Sequence, residues 1–175
     1  MQEKFHYPLP RNGVKSIQQA IRKVRFEKNE HLHVFKNGRQ ILRFSGHQNQ
    51  INIPPEYLFQ LKDTEVVHNH TSNSSFSFED INMATFHNIK ELYAVTPDFI
   101  YQVKRPGSEW EIDFNNDYFL NFFETCQSIA RMELEKLLAN HQIDQIEMEF
   151  KFFHYLWLLF FHSFDIHYAQ KKHPK

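Results

Sequence analysis

The sequence predicts an α/β chain, α+β in detail: a mixed, mostly antiparallel sheet flanked by helices, with a helical hairpin at the C-terminal end. Three observations carry this. Apolar residues alternate with a period of two in short runs between Glu30 and Val103, which is the pattern of half-buried strands. Asn37-Gly38 lies between two such runs and is a strong hairpin signal. After Asn116 the period lengthens to that of a helix.

The elements follow in order. Residues 1–13 carry Pro8, Pro10, Asn12 and Gly13 and read as an arm. Ile17, Ile21 and Val24 recur at helical spacing behind Ser16, a suitable N-cap, so 15–25 reads as a short amphipathic helix. From Glu30 to Phe35, Glu30, Leu32 and Val34 share one strand face, and His31, His33 and Phe35 share the other. On this pattern His31 and His33 are exposed strand residues. Ile41 to Phe44 is the return strand. A loop over 45–49 and a short extended piece over 50–53 end at Pro54-Pro55, and Glu56 to Leu61 forms one or two helical turns. A strand at Glu65-Val66-Val67 runs into His68-Asn69-His70, and a polar loop spans 71–77. Asp80 to His87 is a helix, and Glu91 to Val95 and Phe99 to Val103 are strands around the Thr96-Pro97-Asp98 turn. Trp110 to Ile112 is a last short strand. Residues 117–140 and 143–170 are two long helices rich in Phe and Leu, broken at Asn140-His141. Their apolar faces suit packing on the sheet, or a homodimer through these C-terminal helices. The organisation expected is an arm and short helix over 1–27, a core over 28–114 and a helical region over 115–175.

Composition narrows the function. The 20 basic and 21 acidic residues leave a net charge of −1 and give no electrostatic reason to expect nucleic acid or an anionic membrane as a partner. The lone cysteine, Cys126, excludes a disulfide scaffold and suits a reducing compartment. Placed on the apolar face of a helix, it reads as an inert buried thiol. The N-terminus lacks an apolar segment of signal-peptide type, and the longest apolar run, Tyr155 to Phe161, is far short of a membrane span. The expectation is a soluble, cytoplasmic protein. Gly13, Gly38, Gly46 and Gly107 never cluster, which argues against a phosphate-binding glycine loop.

The chemistry concentrates in residues 66–81. His68 and His70 at i and i+2 on an extended segment point the same way, and Asp80 follows at a helix start. Two imidazoles and a carboxylate leave a fourth tetrahedral position for water, the layout of a catalytic zinc site. On spacing alone the histidines read first as a solvated strand end, and only then as ligands. Asp80 is equally a carboxylate stabilised by the helix dipole, and Ser77-x-x-Asp80 is itself a capping-box pattern. His162, Asp165 and His167 lie close in sequence but share no helical face well.

These residues resemble the JAB/MPN (JAMM) metalloproteins, whose motif is an upstream Glu, then His-x-His-Pro and Ser-x-x-Asp. His68-Asn69-His70 and Ser77-Phe78-Glu79-Asp80 match it. The His-Asn-His form is similar to RadC-like proteins, and the whole loop to JAB-like segments of phage head-morphogenesis and toxin-associated proteins. The resemblance covers roughly residues 28–105, within the expected core. It implies one zinc per chain on His68, His70 and Asp80, and a hydrolase that cleaves a peptide or isopeptide bond in a protein or peptide substrate. It implies a donor role for Ser77 toward the carbonyl or oxyanion. It also implies a glutamate from an early strand as acid/base; Glu30 is the choice, ahead of Glu27 and Glu65. Thr71 stands where the family has proline, and nine residues separate His70 from Asp80, one fewer than its peptidases usually have. These departures suit the alternative, a non-catalytic scaffold or interaction module of phage or mobile-element origin.

Overall fold

The computed structural model describes Pro8, residues 13–46 and residues 51–174. Most of the expected arm and of the loop at 45–49, and Gln50, lie outside the described residues. Helix α1 (Ile17–Val24) begins where Ser16 Oγ accepts the Gln19 N–H at 3.2 Å. Strands β1 (His31–Lys36) and β2 (Arg39–Ser45) form the hairpin. Asn37 at φ 51° and Gly38 at φ 73° both adopt the positive φ that its tight turn demands. A helical turn, α2 (Pro55–Leu58), continues into one 3₁₀ turn at Phe59–Leu61. Strand β3 (Glu65–Asn69), helix α3 (Phe78–Phe86), and strands β4 (Glu91–Val95) and β5 (Phe99–Lys104) follow. Helices α4 (Asp117–Ala139) and α5 (Gln145–Ser163) form the hairpin, and β6 (Tyr168–Lys172) closes the described chain.

The class is α+β, as the sequence predicts. The six strands form one sheet in the order β2-β1-β3-β4-β5-β6. Neighbours are antiparallel except β3 and β4, which are parallel with Glu65 opposite Glu91. Alternation along the strands divides the core between two faces. On one face, Ala20, Ile21 and Val24 of α1 cover Phe35, Val67 and Val95. On the other, Leu32, Val34, Val66, Leu92 and Val103 meet Ile81 of α3 and the aromatic faces of α4 and α5. The helical hairpin thus packs on the sheet. Trp157, Phe160 and Phe161 of α5 are fully buried there. Among the described residues, no helix is long and apolar enough to cross a membrane.

Three expectations are corrected. The second long helix stops at Ser163 instead of reaching 170. Asp165 takes φ 52°, the Ile166 N–H caps the Phe161 carbonyl at 2.9 Å, and the chain returns as β6. There it pairs with the otherwise open edge of β5, Tyr101 facing Gln170. A partner strand so distant in sequence leaves no trace in a local window. Trp110 to Ile112 forms no strand; it is fixed by its side chains, with the Trp110 indole donating to the Ile89 carbonyl at 2.7 Å and Ile112 in the core. His31 and His33 are largely covered, not exposed. Burial, reinforced by Arg43, pulls the His33 imidazole down to about 3, and Gln40 Nε2 donates to its Nδ1 at 2.6 Å.

Trp157 provides a test of this core. Its ring stacks on Phe161, and its Nε1–H donates to the Phe76 carbonyl at 2.6 Å. Trp157→Phe orphans that buried carbonyl and is expected to cost about 1–3 kcal/mol. Trp157→Ala adds a cavity, for a total of about 3–5 kcal/mol. Urea unfolding of both variants measures the two steps.

Candidate metal centre

Alternation on β3 sets the first half of the site. Val66 enters the main core, so His68 and then His70 project from the same face, while Val67 and Asn69 face the other way. The His70 N–H donates to the Val95 carbonyl at 2.9 Å, which carries the parallel pairing one residue beyond β3. Helix α3 sets the second half. Ser77 is its N-cap, and its hydroxyl accepts the Asp80 N–H at 3.1 Å. Asp80 Oδ2 in return accepts the Ser77 N–H at 2.7 Å and the Ser77 hydroxyl at 2.9 Å. This reciprocal cap locks the Asp80 rotamer and leaves Oδ1 clear of Ser77.

The two halves meet. His68 Nε2 lies 3.3 Å from Asp80 Oδ1, and His70 Nε2 lies 3.3 Å from Asp80 Oδ2. The two Nε2 atoms are 2.9 Å apart. One donor atom from each of the three residues lies within 4.8 Å of the others, the one such group of three among the described residues. Donors at about 2.0–2.1 Å from a tetrahedral zinc stand roughly 3.3–3.4 Å apart, so each His–Asp distance matches such an edge, each to a different Asp80 oxygen, while the 2.9 Å between the two Nε2 atoms must open for both to ligate one ion. The donor set also fits zinc chemically, and His70 meets the outer requirement. Its Nδ1 donates to the Ser74 carbonyl at 3.1 Å, so that Nε2 is the nitrogen turned toward Asp80 and, once it gives up its own proton, the one that would ligate an ion. These residues can hold a divalent ion. His162, Asp165 and His167 form no such group.

Burial opposes charge on His70, Asp80 and Glu30, and pairing overrides it on the first two. The Asp80 hydrogen bond and charge push His70 up to about 9. The two imidazoles hold Asp80 well below the usual carboxylate range. Glu30 differs: burial raises it, and the attraction of His70 and His68 offsets this only in part.

The centre opens into a cleft of about 580 Å³. Leu32, Ile51, Ile53, Met83 and Phe153 supply apolar walls, and Glu30, Thr71, Ser74 and Ser77 line it near the centre. Of the three glutamates weighed from the sequence, Glu30 lines the cleft. Glu27 lies 3.9 Å from His31 Nε2, and Glu65 lies 3.5 Å from Lys90. Ser77 is in the cleft with its hydroxyl engaged by Asp80. Sequence reasoning missed Asn69, whose amide ties β3 to the chain before β1, and Ser74, which orients His70. The strand period marks Asn69 as facing away from the histidines, but nothing local identifies its partners. A scan of protein-family models and searches of curated proteins and solved structures each find no match.

The His70–Asp80 pair gives a signed pH dependence for the metal-free protein. His70 is raised above its usual 6.5 in the folded state, so its contribution is complete below 6.5 and lost as pH rises through about 9. Asp80 is depressed below 3.8, so its contribution is present above 3.8 and lost as pH falls. The stability difference between the parent and His70→Gln, measured by denaturation across pH with chelator present, is expected to shrink at both ends of that range.

Proposed function

We propose that this protein is a zinc-dependent hydrolase that cleaves a peptide or isopeptide bond in a protein or peptide substrate, the activity implied by its resemblance to JAB/MPN metalloproteins. One observation carries the reading. His68, His70 and Asp80 converge from a strand end and a helix start at the base of a cleft that also holds Glu30. A bound zinc would supply a Lewis acid and lower the pKa of a water at its open position to about 7.

The chain's own residues would do the rest. His68, His70 and Asp80 hold the ion, one per chain. Glu30 carries a carboxylate whose proton affinity is raised by burial, which suits taking a proton at its oxygen and returning it to a leaving amine. The Ser77 hydroxyl reaches a substrate carbonyl as a donor only by releasing Asp80 Oδ2. The apolar walls from Ile51, Ile53 and Phe153 bind substrate and exclude water. The single buried thiol, Cys126, is consistent with work in the cytoplasm.

A second reading is a non-catalytic scaffold or interaction module. It is favoured by the partners of the carboxylate: Asp80 is bonded to Ser77 and faces both histidines with no ion required.

Elemental analysis separates the two. About one zinc per chain is expected, lost in a folded His68→Ala/His70→Ala double variant. Absence of zinc from the parent even after its addition would overturn the hydrolase. Glu30→Gln should keep the zinc and lose about 10²–10⁴-fold in turnover on a peptide and isopeptide panel.

A further inference from the structure

The residue between the two histidines is occupied with something else. Asn69 is buried, 1% exposed, and its side chain points to the face opposite His68 and His70. Its Oδ1 accepts the His31 N–H at 2.7 Å, and its Nδ2 donates to the Asn29 carbonyl at 3.1 Å and the Glu27 carbonyl at 3.5 Å. Glu30 lies between Asn29 and His31. The backbone on both sides of Glu30 is therefore clamped by one side-chain amide. The Glu30 carbonyl itself accepts the Gly46 N–H at 2.8 Å, which fixes the same residue from the β2 side.

Regular pairing does not reach this point. The β1–β3 ladder runs from Phe35 opposite Glu65 to Leu32 opposite His68, and no further. Beyond it, the Asn69 amide acts as a substitute peptide group, offering one acceptor and two donors to the chain before β1. Continuing the register by two residues in each direction sets Glu30 opposite His70. With Asn69 holding the backbone from one face, the Glu30 side chain emerges on the other, in the cleft beside the metal ligands. A buried amide is costly unless all its bonds are made, and here they are made to the segment that carries the acid/base candidate.

We propose that Asn69 is a positioning residue that holds Glu30 at the metal centre, so that the strand carrying the two histidine ligands also sets where the proton-transfer group stands. This rests on the zinc-hydrolase reading, and cobalt(II) as the probe keeps the two separable. In full-length protein with ¹³C-labelled glutamate, Glu30 is assigned by the carboxyl signal lost in Glu30→Gln. Loading the parent with cobalt should shift and broaden that signal strongly. Asn69→Ala should still bind cobalt in the same stoichiometry while the Glu30 paramagnetic shift collapses and exchange of the His31 amide accelerates. Asn69→Asp keeps the acceptor for His31 and loses both donors, so it should fall between the two. A merely structural Asn69 would lower the melting temperature and leave the Glu30 shift in place; that result in either variant overturns the inference while the metal reading stands. If Asn69→Ala does not fold, Asn69→Asp decides alone by the same criterion. A parent that binds no cobalt overturns both.

Discussion

The site depends on the crossover from β3 through α3 to β4. These two strands are parallel, and a parallel pair cannot be joined by a tight turn. The chain must leave the end of β3, travel back across the sheet and re-enter beside it. Helix α3 makes that return, so its N-terminus sits by the C-terminal end of β3. The strand's last residues and the helix's first turn then become neighbours: the histidines from one, Asp80 from the other. The helix dipole favours a carboxylate at this place, and the Ser77 cap fixes which way it points. Antiparallel pairing at the same position would separate the three donors.

Placing an acid and two imidazoles together under partial burial contributes only modestly to the stability of the fold. Desolvation of a buried pair offsets most of its Coulomb attraction. The surrounding structure has its own apolar core. On the same face of the sheet, Trp157, Phe160, Phe161 and Phe123 form a continuous aromatic cluster with ring centroids 5.2–6.1 Å apart. The cleft forms where this apolar layer gives way to the polar loop after β3. Its walls remain hydrophobic while its floor carries the charges, a combination that suits a ligand with both apolar and polar parts.

Much of this is legible in the sequence because it is governed by short-range chemistry. Asn37-Gly38 reports its turn directly, since few other residues accept two successive positive φ values. Ser16 and Ser77 report helix starts because a hydroxyl there has backbone N–H groups to satisfy. The two-residue spacing of His68 and His70 places them on one face wherever the strand lies. What escapes is long-range. The segment Tyr168–Lys172 becomes a strand because β5 offers an open edge, and no alternation in Tyr-Ala-Gln-Lys-Lys announces it. His33 is covered because α1 is docked over that end of the sheet. Asn69 matters through residues some 40 positions away. Each of these depends on which elements meet, which local periodicity does not encode.

The C-terminal region is tied to the candidate metal centre through the loop that follows the histidines. Four consecutive residues of that loop are each held by a different partner. Asn73 gives its carbonyl to the Tyr101 hydroxyl at 3.1 Å. Ser74 gives its carbonyl to His70. The Ser75 hydroxyl meets the Tyr168 hydroxyl of β6 at 2.8 Å, and Tyr168 in turn meets His154 Nδ1 of α5 at 2.8 Å. Phe76 gives its carbonyl to Trp157 of α5. Two of the four anchors come from residues beyond 150. A loop of serines and asparagines, left to itself, samples many conformations, and the Ser74 carbonyl would then orient His70 poorly. Strand β5 before Ser74, and β6 and α5 after it, remove that freedom. Helix α5 and strand β6 therefore contribute to the placement of His70 through this loop, although they supply no donor of their own.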